Sequence, residues 1–104
     1  MKRFFFALCL VVYSTCFGVQ WECPKDIEVL TAAYSEDIMS FNVRTKRWND
    51  DFVPITFYLY DKNGWCIESQ PAKFIRCDDD HKYYAIGLDM YLYRRAVKMC
   101  IRQN

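Results

Sequence analysis

The side chains with reactive potential in this sequence are six cysteines, at positions 9, 16, 23, 66, 77 and 100, and one histidine, His81. Thiolates and imidazoles hold metals, move protons or attack electrophiles. Cys66, Cys77 and His81 fall within sixteen residues of one another, yet no Cys-x-x-Cys spacing occurs, so neither a metal nor a cofactor is expected. His81 follows Asp78, Asp79 and Asp80, where a carboxylate beside an imidazole suits acid/base work. A solvated loop histidine is the simpler reading of the same residues. No Gly-x-Ser-x-Gly, His-Glu-x-x-His or glycine-rich phosphate loop is present, and no catalytic set is assigned.

A second group of residues combines cations with an aromatic ring: Arg44, Lys46, Arg47 and Trp48 in the middle of the chain, and Arg94, Arg95, Lys98 and Arg102 near its end. Guanidinium groups beside an exposed ring can follow a nucleic acid backbone and stack a base, and the same composition is typical of protein-binding hot spots. The plain alternative is that these charges solvate elements whose other faces pack inward.

The elements that would position these groups begin after a leader. Lys2 and Arg3 precede an apolar run from Phe4 to Tyr13, followed by small or polar residues, which is the three-part pattern of a secretory signal. Cleavage is expected after Gly18, giving a signal peptide at 1–18 and a single secreted domain at 19–104. The apolar run is about half the length needed to span a bilayer, so no membrane anchor is expected. Export removes Cys9 and Cys16 and leaves Cys23, Cys66, Cys77 and Cys100, an even set that reads as two disulfides. Three pairings are open. Cys66 with Cys77, on neighbouring predicted strands, and Cys23 with Cys100, tying the ends of the domain, are favoured. Loss of Lys2 and Arg3 leaves 12 basic against 13 acidic residues, so bulk attraction to nucleic acid or anionic membrane is absent.

Within the domain, Trp21-Glu22-Cys23 reads as a short strand. Pro24 with Ile27, Leu30, Tyr34 and Ile38 at helical spacing predicts a helix over 25–38. A surface loop over 42–52 follows, with a short strand at 41–45. Alternation at Ile55, Phe57 and Leu59, the turn Asp61-Lys62-Asn63-Gly64 and the return at 65–68 predict a hairpin. Further strands are expected at 73–77 and 83–86, and residues 89–101 fit either a helix capped by Asp89 or a strand. The sum is an α+β domain, one helix packed on an antiparallel sheet and stapled by disulfides.

The Trp21-Glu22-Cys23 motif just after the leader, with a lone Cys100 close to the C-terminus, resembles the candidate secreted effectors of powdery-mildew fungi that carry a Y/F/W-x-C motif. The resemblance implies a degenerate ribonuclease-like (RNase-like) fold with the first and last cysteines paired. It also implies a non-catalytic virulence function: binding of host protein, or of RNA, to suppress plant immunity after secretion and delivery into host cells. A ribonuclease needs a base, an acid and a cation at the phosphate. Glu68, Arg76 and His81 supply these types, but Arg76 and His81 read as too close in sequence to reach one cleft from successive strands. A monomeric binding protein is therefore the first expectation, an active secreted ribonuclease the second, and a disulfide-rich toxin or inhibitor the third.

Overall fold

Alternation with a period of two governs most of the chain, and it builds strands. The computed structural model describes residues 18–46 and 54–103. The elements in chain order are β1 (Gln20–Glu22), β2 (Ile27–Tyr34), β3 (Ile38–Lys46), β4 (Ile55–Tyr60), β5 (Cys66–Pro71), β6 (Lys73–Cys77), β7 (His81–Asp89), the helix α1 (Met90–Arg95) and β8 (Lys98–Gln103). They form two four-stranded sheets, ordered β1-β8-β4-β5 and β2-β3-β7-β6. All pairings are antiparallel except β1 with β8, which is parallel.

The core lies between the two sheets. Met39, Phe41 and Val43 of β3 and Tyr84, Ile86 and Leu88 of β7 are buried from one side, and Ile55, Phe57 and Leu59 of β4 with Met99 and Ile101 of β8 from the other. Phe41 meets Phe57 across the layer at 5.7 Å between ring centroids. Each buried side chain of this size contributes about 1.5–3 kcal/mol. Because inward residues alternate with outward ones, every strand presents a second row of side chains on an outer face.

The helix α1 packs against β3 and β7. Asp89 caps it, accepting from the backbone of Tyr91 at 2.8 Å and Leu92 at 3.2 Å. The segment that fits either element in sequence is thus divided: helix first, then strand β8. The hairpin of β4 and β5 and the strand at 73–77 form as the alternation predicts.

Three expectations are overturned. The helix over 25–38 is instead β2, with turns at both ends. β-Branched Ile27, Val29 and Thr31 favour extended backbone, and Ile27 and Val29 are the residues buried, while Tyr34 and Ile38 of the supposed helical stripe are 60% and 42% exposed. The disulfides are absent: Cys23, Cys66, Cys77 and Cys100 are all free thiols. Cys66 and Cys77 stand on strands of different sheets, at the ends remote from the crossover at Ala72. Cys100 lies opposite Glu22 in the β1–β8 register, but its Sγ donates to Glu22 Oε1 at 3.1 Å and is not bonded to Cys23. The disulfide-stapled, RNase-like form of the α+β fold is therefore replaced, among the described residues, by one short helix set against mixed and antiparallel sheets. Residues 1–17, which hold all but the last position of the expected leader, lie outside the described residues, as do Arg47 and Trp48. The loop expected over 42–52 gives way to β3 as far as Lys46.

Candidate binding surfaces

The outer face of the sheet β2-β3-β7-β6 carries a connected polar cluster. Alternation along β3 turns Arg44 outward, and along β7 it does the same for Tyr83; the register pairs these two residues, and Lys46 with His81. Arg76 of β6 pairs with the same Tyr83 from the other side. The Arg76 guanidinium carbon lies 3.9 Å from the Tyr83 ring centroid. The Tyr83 hydroxyl donates to Asp78 Oδ2 at 2.8 Å, and the His81 ring is 6.2 Å away, centroid to centroid. Arg44 Nε donates to Glu28 Oε1 at 2.6 Å, and that bond, the largest of several influences that include one to Tyr83, raises the guanidinium above its ordinary pKa.

Asp78 organises the turn leading into β7. Its Oδ1 accepts from the backbone N–H of Asp80 at 2.9 Å and of His81 at 2.8 Å. These bonds, the Asp80 one first and then Tyr83, hold its carboxyl at about 2. A carboxylate that acidic is a poor proton acceptor at neutral pH. Next to the cluster, the small residues Ser40, Ala85 and Gly87 leave a shallow trough of about 380 Å3, bordered by Asn42, Gln70 and Lys73. Gln70 Nε2 closes one side by donating to the Gly87 carbonyl at 3.1 Å.

The remaining basic residues named from the sequence lie elsewhere. Arg94 and Arg95 are exposed in the last turn of α1, with Arg95 5.5 Å from the Tyr91 ring. Lys98 and Arg102 are on β8, whose outer face points away from the Tyr83 cluster. There Glu22 sits among Cys100, Lys98 and Arg102, and the Cys100 bond, followed by the two cations, lowers its carboxyl. Burial first, and then Glu22, raises the Cys100 thiol, and burial, followed by the neighbouring Cys100, pushes Cys23 up to about 11. Both cysteines are therefore weak nucleophiles at neutral pH. Trp21 of the aromatic-x-Cys motif is half-buried, its ring edge-on to Phe41 at 5.2 Å. It is part of the core.

The structure brings together Arg44, Arg76 and His81, and it adds Tyr83 and Glu28, which the sequence reading passed over. Their signal was present: His81 and Tyr83 are two apart on a strand and so share a face. Arg76 and His81 do come from successive strands, because the intervening turn is tight, whereas Glu68 lies on the other sheet. Among the described residues no three His, Cys, Asp or Glu side chains gather to hold a metal.

No family model, curated protein or solved structure matches this chain. The resemblance to powdery-mildew effectors thus stands on Trp21, Cys23 and Cys100 alone, and the cysteine pairing that it implies is not formed.

Proposed function

We propose that this chain is an exported, non-catalytic binding protein that docks a host protein on the outer face of β3, β7 and β6, in the manner of a secreted effector. One observation carries this reading: Tyr83 is held before any partner arrives, with Arg76 over its ring at 3.9 Å, Asp78 on its hydroxyl at 2.8 Å and Arg44 alongside. Tyrosine and arginine fixed in place lose little freedom on binding, which is how a few residues come to dominate an interface. Export is supported by the leader pattern, and cleavage after Gly18 would leave every described strand intact.

The test is to immobilise the purified protein, identify host proteins retained by it, and repeat with Tyr83→Ala and with Lys98→Gln. Loss of the same partner with Tyr83→Ala alone, at unchanged melting temperature, is the expected result. Retention by Tyr83→Ala removes the proposal.

A second reading, a secreted ribonuclease, draws on Arg76, His81 and Tyr83 sharing one face. The low proton affinity of Asp78 and the engagement of Arg44 with Glu28 count against it. RNA cleavage that disappears in His81→Ala would make it the better account.

A further inference from the structure

Charge pairing separates the two outer faces. Arg44 and Arg76 each face a carboxylate, Glu28 at 2.6 Å and Asp78 at 3.9 Å. Lys62, Lys98 and Arg102 have no ion-pair partner within 4.0 Å among the described residues. These three line a single open groove of about 730 Å3 on the opposite face.

Register builds this groove. Gln20 of β1, Lys98 of β8 and Tyr60 of β4 lie side by side across three strands. The turn after β4 adds Lys62 and Gly64 on the β4 side, and the β1 side is bordered by Gly18, the last residue of the expected leader, whose removal leaves the cations and Tyr60 in place. Lys98 Nζ stands 5.5 Å from the Tyr60 ring centroid. Two carboxylates accompany these cations. Asp61 lines the groove, and its Oδ1 accepts from the backbone of Asn63 at 2.9 Å and Trp65 at 3.0 Å. Glu22 accepts the Cys100 thiol and is held ionised in part by Lys98 and Arg102, so the three cations exceed the carboxylates by one. The volume is within the range of small-ligand sites. Lys98 and Arg102 are four residues apart on one strand, roughly 13 Å between Cα atoms, so the cations are spread along the groove and not focused on one point. Such spacing favours several anionic groups over a single one, and a tyrosine ring among cations supplies a surface for the scaffold that carries them.

We infer that this groove binds a small molecule carrying two or more phosphate groups. Lys62, Lys98 and Arg102 neutralise the phosphates, and Tyr60 packs against the scaffold between them. A soluble polyphosphate and a phosphorylated lipid headgroup present this same chemistry.

The experiment is titration calorimetry of the purified protein with inorganic triphosphate, alongside flotation with phosphatidylcholine vesicles with and without phosphatidylinositol bisphosphate. Triphosphate should bind saturably at one site, and the double variant Lys98→Gln/Arg102→Gln should weaken it by about tenfold or more, while Arg44→Gln on the other face leaves it unchanged. Should the double variant fail to fold, Lys62→Gln in the exposed turn carries the same test. Flotation that requires the bisphosphate lipid and is suppressed by triphosphate identifies the lipid as the source; binding of triphosphate without flotation identifies a soluble ligand. Absence of triphosphate binding, equal weakening by Arg44→Gln, or flotation that triphosphate does not compete with overturns the inference.

Discussion

The indole Nε1 of Trp21 donates to the hydroxyl of Tyr93 at 2.8 Å, joining residues 72 positions apart in the chain. The bond ties β1 to the helix α1, and Tyr93 is wholly buried. Tyr93→Phe removes the acceptor and leaves a half-buried N–H short of a partner. A loss of about 1–3 kcal/mol is expected from denaturant unfolding, with no change in the slope of the transition.

Thiol chemistry checks the free cysteines directly. Cys66 and Cys77 are exposed, whereas Cys100 is buried and Cys23 is pushed up to about 11. Only the thiolate reacts, so native protein at neutral pH should take up iodoacetamide at Cys66 and Cys77 first. Cys23 should speed up as pH rises toward about 11, and Cys100, raised by burial and Glu22, should also lag. Denaturation without reductant of the chain freed of residues 1–18, which carry Cys9 and Cys16, should expose four reactive thiols by intact mass.

Asp78 predicts an acid dependence with a definite sign. Its carboxyl is held at about 2 against an ordinary 3.8, so the stability that it contributes is present above the ordinary value and is lost as pH falls through about 2. Asp78→Ala should melt below the parent at pH 5, and the gap should close as pH falls between those two values. A gap that widens there would show that Asp78 is not held in this way.

Two glycines should respond to alanine for different reasons. Gly64 has φ +83°, in the turn whose Gly64 N–H donates to Asp61 O, and Gly64→Ala should cost about 1 kcal/mol. A Cβ on Gly87 would meet Ile38 Cγ2 at 3.2 Å, and Ile38 is exposed enough to turn aside. Gly87→Ala should therefore lie within about 1 kcal/mol of neutral, read as the shift in urea midpoint.

Much of the strand pattern was legible where polar and apolar residues alternate without competition, as at Ile55, Phe57 and Leu59. It failed over 25–38 because Ile27, Leu30, Tyr34 and Ile38 match a helical stripe while Ile27 and Val29 match a strand, and only the partner strand β3 decides between them. The cysteines misled for a related reason. An even count in an exported chain argues for crosslinks, but bonding depends on which sulfur faces which, and in this fold the Cys100 thiol faces Glu22. The Arg44 and Arg76 cluster was half legible: the cations were visible, whereas Tyr83 draws its role from cross-strand register, a long-range property that local sequence does not encode.

Ala72 is the single residue between β5 and β6, strands that belong to different sheets, and its N–H donates to the Ile55 carbonyl at 2.8 Å. A joint this short has no slack to absorb the opening of one layer while the other stays closed. Pulling on either half loads its companion at once, so thermal melting should proceed as one all-or-none event with equal calorimetric and van't Hoff enthalpies.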